Sequence, residues 1–187
     1  MHDVPYFDRF APVYDLLLPG TDPDPLRSGL ELADGPIQVV LDLGGGTGRA
    51  ARALSQNAAV LDGSRPMLEQ ARTHSLPAIR GDVRSLPLRS DSVDGIVSVD
   101  AVHHFPDLPT VVSEVERVLR DGGVFVIRDF DPSTVRGRGL VLGEHVFGFA
   151  STFFTPGELT ETLRGAGLSP SVLDTGFVYT VVGQKNT

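Results

Sequence analysis

Cysteine and tryptophan are both absent from the 187 residues, and lysine occurs once, at Lys185. Without cysteine there can be no disulfide, no thiolate-held metal or iron–sulfur cluster, and no Cys nucleophile. No stretch of roughly 18 apolar residues occurs, so no transmembrane helix is expected. The opening MHDVPYFDRF lacks the apolar core of a secretory signal, which makes the cytoplasm the expected location. Positive charge is scarce: 16 Lys and Arg stand against 24 Asp and Glu, for a net charge of −8. Such a surface repels phosphate backbones, so nucleic acid is not an expected partner. The densest basic run, Arg136-Gly137-Arg138, is too short to change that.

What remains is the composition of a globular chain, 41% hydrophobic and 21% charged, at a length that suits one domain. No repeats or low-complexity tracts interrupt it. Three prolines, Pro19, Pro23 and Pro25, forbid a continuous helix and separate an expected N-terminal helix over 4–18 from the body. Residues 1–33 thus read as a helical cap. Short β-branched runs at 37–43, 58–61, 77–80, 93–99 and 124–128 read as strands. Between them, helices are expected over 47–55, 64–73 and 107–120, with Ser64 and Asp107 as N-caps. Thr155-Pro156-Gly157-Glu158 is a capping box opening a helix to about 165. Residues 171–173 and 177–182 read as a closing pair of strands. Strands alternating with helices predict an α/β, doubly wound, mostly parallel sheet, which binds ligands beyond the carboxyl ends of its strands.

The strongest local signal is Val40-Leu41-Asp42-Leu43-Gly44-Gly45-Gly46-Thr47-Gly48. A strand runs into four glycines in five positions, and a helix follows. Such a loop lets a ligand lie against the main chain. A nucleoside triphosphate would need G-K-[ST], but Arg49-Ala50 follow Gly48. A dinucleotide prefers G-x-G-x-x-G/A, and counting from Gly44 the third position is Arg49. A count shifted by one residue keeps a nicotinamide dehydrogenase in view. S-adenosylmethionine (SAM) has no phosphate and needs the loop only for its methionine and ribose parts.

At this point VVLDLGGGTGRAA resembles the first motif of the class I SAM-dependent methyltransferases. LDGSRPMLEQAR is similar to their second motif, and IRGDVRSLPLRSDSVDGIVSVDAVHHF to the third and fourth. VERVLRDGGVFVIRDF, TFFTPGELTETLRGAGL and YTVVGQK are similar to the later helices and strands. The opening FDRFAPVYD resembles the branch that methylates ubiquinone and menaquinone precursors. The resemblance covers about residues 7–185. It implies a Rossmann-like, seven-stranded sheet with an antiparallel last strand, in one domain with an N-terminal helical cap. It implies SAM as cofactor, held by Asp42, Gly44, Gly45, Gly46, Gly48, Asp62, Gly63, Met67, Asp82, Val83 and Asp100. Asp62 would accept the ribose hydroxyls. Asp82 and Val83 would meet the adenine, Asp100 the methionine portion, and Asp42 would orient the loop or act on the ammonium.

Candidate catalytic residues are Tyr14, His103, His104 and Asp129. The histidines can act as bases at neutral pH, but packing or capping would equally account for them. Read as part of a strand, His103 and His104 would point to opposite faces and not share a metal, so no metal site is expected. Residues 134–155 are expected to form a lid, and the apolar stretch 140–149 within it suggests an apolar acceptor. The expected function is methyl transfer from SAM to a small, apolar molecule, with a quinol ring carbon as the specific candidate. O- or N-methylation of another small molecule, or a non-catalytic SAM-binding regulatory module, are the alternatives. Peripheral contact with a membrane is expected only if the acceptor is a lipid quinone.

Overall fold

A computed structural model describes residues 7–9, 11, 15, 20–54 and 57–187. The helix expected over 4–18 therefore lies largely outside the described residues, as does Tyr14. The chain proceeds as α1 (Asp24–Leu30), β1 (Val40–Leu43), α2 (Arg49–Leu54), β2 (Ala58–Asp62), α3 (Arg65–Thr73), β3 (Ala78–Arg80) and β4 (Val93–Val99). There follow a 3-10 turn (Val102–His104), α4 (Leu108–Val118), β5 (Leu119–Phe130), α5 (Val135–Phe147), α6 (Pro156–Gly165), β6 (Leu168–Asp174) and β7 (Val178–Lys185).

The strands form one seven-stranded sheet in the order β3-β2-β1-β4-β5-β7-β6. Pairs among β1 to β5 are parallel, while β7 runs antiparallel to both β5 and β6. The order reverses direction between β1 and β4, which opens a crevice at their carboxyl ends. Each sheet face has its own core. One gathers Leu41, Ile96, Phe125 and Ile127 under α4 and α6. The other gathers Val40, Val60, Val97 and Val126 with the apolar sides of α1, α2 and α3. Helix α4 shows the logic: Leu108, Val111, Val112, Val115 and Val118 recur at helical spacing and all are buried. Each such side chain is worth roughly 1.5–3 kcal/mol of burial.

The structure departs from the sequence reading at several boundaries. β1 starts at Val40 rather than 37, because the Asp94 carboxylate takes the Gln38 and Val39 amides (2.9 and 2.8 Å). Pro23 and Pro25 do not extend the break to residue 25, since proline is tolerated in a first helical turn and α1 begins at Asp24. α1 packs on the sheet: a Cβ on Gly29 would fall 2.7 Å from Val126 Cγ1. Helix α4 stops at Val118, and the chain turns extended at Leu119, pairing Leu119 with Val93. A register shift between Val93 and Gly95 follows, where Gly122 at φ 74° supplies the bulge. Asp107 sits before α4 in a left-handed conformation and makes no cap bond, accepting instead from Thr110 Oγ1 at 2.7 Å. Ser64 and Thr155 cap their helices as expected, the latter in a complete capping box.

Candidate functional site

The crevice beyond β1 and β4 is lined by Phe7, Thr21, Asp42, Gly44, Gly45, Gly46, Arg49, Ala50, Asp62, Met67, Val99, Asp100, Ala101, His104 and Phe105. The glycine loop forms its floor, and Asp42 lies directly beneath. A Cβ on Gly45 would stand 2.4 Å from the Asp42 Cγ, so this carboxylate is reachable only because the loop has no side chain there. Gly46 has φ 55°, and the nearest atom to a Cβ there would be Met67 Sδ at 3.8 Å. A side chain at this position would be strained and would protrude into the crevice.

Asp42 is 1% exposed. Its Oδ2 accepts the Ala51 amide at 3.1 Å, at the head of α2. Its Oδ1 is buried and has no partner. Burial, with the nearby Asp62 charge adding to it, pushes the Asp42 carboxyl up to about 7. A buried acceptor without a donor is costly, of order 1–3 kcal/mol, unless a ligand supplies one. The crevice therefore presents an acceptor suited to a cationic or N–H-bearing group.

Asp62 ends β2 and divides its oxygens: Oδ2 accepts from Gly46 N at 3.0 Å, Oδ1 from Ser64 N at 2.7 Å. Burial holds its carboxyl above the usual range, against the pull of those amides. Each oxygen keeps lone-pair capacity for a further donor, such as one of two vicinal hydroxyls. On the far wall Asp100, at φ 51°, receives Arg49 Nη2 at 3.3 Å. Burial raises its carboxyl and Arg49 opposes that rise. In the fold Arg49 is a wall of the crevice, tied across the mouth from the head of α2 to the residue just past β4.

Among the expected cofactor residues, Asp42, Gly44, Gly45, Gly46, Asp62, Met67 and Asp100 are brought together. Gly48, Gly63, Asp82 and Val83 are not among the lining residues. Gly48 packs toward Leu76 and Val60, and Val83 is core. The Gly63 carbonyl accepts from Arg80 at 3.2 Å. The Asp82 carboxylate is closed on Arg84, whose Nη2 and Nε donate at 2.7 and 3.1 Å, and this bonding lowers it to about 2. Phe7, Thr21, Ala50, Val99, Ala101 and Phe105 line the crevice without having been singled out. Ala101 and Phe105 lie on either side of His103-His104, and Phe7 opens the FDRFAPVYD segment; no local motif marks Thr21.

His103 and His104 do not point to opposite faces. They sit on the 3-10 turn, not a strand, and their ring centroids are 4.1 Å apart. One ligating atom each of His103, His104 and Glu144 lies within 4.8 Å of the others. The turn therefore does not hold the two imidazoles apart, and opposite faces do not keep them from a shared metal. Both His103 ring nitrogens nevertheless face carboxylates: Nδ1 meets Asp129 Oδ1 at 2.6 Å, and Nε2 meets Glu144 Oε1 at 3.6 Å. Burial disfavours the His103 cation, but the two carboxylates outweigh it and raise the imidazole to about 10. Phe153 stacks on its ring at 4.4 Å. His103 and Asp129 are each about 3% exposed and neither lines the crevice. His104 does, with Nδ1 3.1 Å from Ser151 Oγ and with Phe7 and Phe149 at 4.9 and 5.7 Å. No residue of 134–155 lines the crevice; Phe149 and Ser151 reach only its wall. α5 turns Gly137, Leu140, Val141 and Glu144 toward the body of the protein, and none of them lines the crevice.

A methyltransferase-domain model matches residues 41–127. Demethylmenaquinone methyltransferase of Thermotoga maritima is 32% identical over 204 residues, covering 91% of this chain and 89% of that protein. Malonyl-[acyl-carrier protein] O-methyltransferase of Xylella fastidiosa is 39% identical over 114 residues, covering 56% of this chain. The chain spans only 39% of the Xylella protein's length. Among solved structures, a Haloferax volcanii methyltransferase in complex with the Trm112 activator superposes with TM-score 0.77 at 23% identity, over 97% of this chain and 98% of its own. A Thermotoga maritima SAM-dependent methyltransferase gives 0.75 at 21%, over 99% and 97%.

Removing one partner of the His103–Asp129 pair leaves a buried, uncompensated charge, so His103→Ala should cost about 3–5 kcal/mol in urea unfolding at pH 7. A histidine raised from 6.5 to about 10 contributes stability that is whole below 6.5 and lost as pH rises through about 10. The gap between wild type and variant should narrow progressively from about pH 6.5 and lose the imidazolium's share by about pH 10; a constant gap across that range would show that the imidazolium is not the source.

Proposed function

The chain belongs to the SAM-dependent methyltransferase family, and from that premise we propose that it methylates a small, apolar acceptor, with a quinol ring carbon as the specific target. The observation that carries the reading is the likeness to demethylmenaquinone methyltransferase along nearly the whole of both chains. The wall of Phe7, His104 and Phe105, with Phe149 leaning on it, supports an apolar acceptor.

SAM supplies a methyl group on a sulfonium whose departure needs no proton. The residues present fit it. Asp42 Oδ1, buried and unpartnered, is offered to the methionine ammonium. Asp62 is offered to the ribose hydroxyls, and the open space over Gly46 to the chain between them. Asp100 and Arg49 bound the methionine side. Asp82 and Val83, at the end of β3, remain the proposed adenine contacts, with Arg84 then giving up part of the Asp82 carboxylate. Gly48 and Gly63 act by shaping the turns on either side.

The protein's share of the work is alignment of acceptor and donor, worth up to roughly 7–11 kcal/mol for well-held partners. A ring-carbon acceptor also needs its hydroxyl proton drawn off, so that electron density reaches the carbon. His103 keeps its own proton below about pH 10 and cannot take another. Asp129 is committed to the His103 amide and ring and to the Phe130 amide. Among the described candidates His104 is the one that reaches the crevice, and we assign it the base. His103 and Asp129 then act as positioning residues, fixing the turn that carries it.

Two outcomes test this. With Asp42 raised to about 7, binding a cation at Oδ1 expels a proton. SAM affinity measured by calorimetry should therefore rise about tenfold per pH unit between about pH 5 and 7. Asp42→Asn should bind more weakly and lose that slope; a slope retained in the variant places the linkage elsewhere. His104→Ala should lower kcat on a quinol acceptor by about 10²–10⁴ with nearly unchanged SAM affinity. Unchanged turnover would remove His104 from the chemistry, and turnover only on carboxylates or amines would replace the quinol.

A further inference from the structure

Helix α5 carries an apolar stripe that nothing in the fold covers. Val135, Leu142 and Val146 are 87%, 67% and 76% exposed, and with Gly139 they follow the i, i+4, i+7, i+11 spacing of one helix face. Phe147, 76% exposed, lies on the flank beyond Arg136. Large apolar side chains this exposed are otherwise scarce among the described residues, and here they are contiguous.

The flanks are chemically specific. At 100° per residue, Arg138 and His145 border one side of the stripe and Arg136 the other, and all three are exposed. The helix's single acid, Glu144, points the opposite way, toward His103. Gly137 is also inward, against the Asp131 carbonyl. The outward face is thus apolar at its centre, cationic along both borders and free of acids, on a protein whose net charge is −8. A second copy of this chain docking here would set arginines against arginines with no outward acid on α5 to pair them. An anionic bilayer surface matches both features: acyl chains receive the stripe, and headgroup phosphates receive the arginines.

We propose that α5 is an interfacial helix that lays Val135, Leu142 and Val146 into the surface of an anionic phospholipid membrane. The acidic remainder of the protein is repelled by the same surface, which fixes the orientation. Because Phe149 and Ser151, just beyond α5, touch His104 on the crevice wall, docking brings the mouth of the site close to the lipid. The inference goes beyond the proposed reaction and stands whichever acceptor is methylated.

Vesicle co-sedimentation of the full chain tests it, with liposomes of phosphatidylcholine alone and of phosphatidylcholine and phosphatidylglycerol in roughly equal parts. Binding is expected to the anionic vesicles, to weaken with salt, and to be much poorer on phosphatidylcholine. Leu142→Glu with Val146→Glu should reduce partitioning by about tenfold or more, and Arg136→Glu with Arg138→Glu should do likewise. Circular dichroism and SAM calorimetry should be unchanged in both variants, since neither pair touches the crevice. Absence of binding, or equal binding by the variants, overturns the proposal. So does a wild-type dimer in sedimentation equilibrium that Leu142→Glu converts to monomer, which would mean that a second copy covers the stripe. Quinol turnover in detergent is scored separately: its loss with vesicle binding intact defeats the acceptor assignment alone.

Discussion

A carboxylate buried under a loop without side chains is the constraint on which the site depends. Asp42 holds the head of α2 with one oxygen and leaves the other unpaired. Neither is possible if Gly45 carries a Cβ, which would overlap the carboxyl group. The loop must therefore be glycine where it crosses the aspartate, and the aspartate must be buried for α2 to start where it does. Burial in turn raises its pKa toward neutrality, so the free protein carries an acceptor whose charge a ligand can complete.

The rest of the crevice is arranged around that point by the sheet. β2 delivers Asp62 one strand away, where its Oδ2 also fastens Gly46 and so sets the loop's far end. β4 delivers Asp100 on the other side, where Arg49 ties it back to α2. Three carboxylates thus converge from three neighbouring parallel strands, and their environments separate them by hydrogen bonding and charge. The 3-10 turn after β4 then sets His104 at the mouth. His103 is withdrawn into a stacked, doubly paired position that holds the turn against β5 and α5.

Much of this was legible in the sequence, because it is written in local patterns. β-branched runs mark the strands and the glycine run marks the loop, while Asp42, Asp62 and Asp100 are picked out by the resemblance, and the fold brings all three to the crevice. Long-range pairings were not legible. Arg49 and Asp100 are 51 residues apart, and nothing near Arg49 announces its partner. The adjacency of His103 and His104 suggested opposite faces, and only the tight turn brings them together. Asp94, 55 residues from Val39, shortens β1 by taking amides a strand would have used. In α5 the apolar count suggested a roof over the acceptor, but hydrophobicity alone does not say which face turns inward. Leu140 and Val141 turn inward with Gly137 and Glu144, while Val135, Leu142 and Val146 turn outward.

The most direct test is a crystal structure with S-adenosylhomocysteine bound. Its amino group should lie about 2.7–3.2 Å from Asp42 Oδ1, with the ribose hydroxyls on Asp62. A bound molecule whose amino group sits elsewhere, leaving Asp42 Oδ1 still without a donor, would contradict the role given to the buried carboxylate.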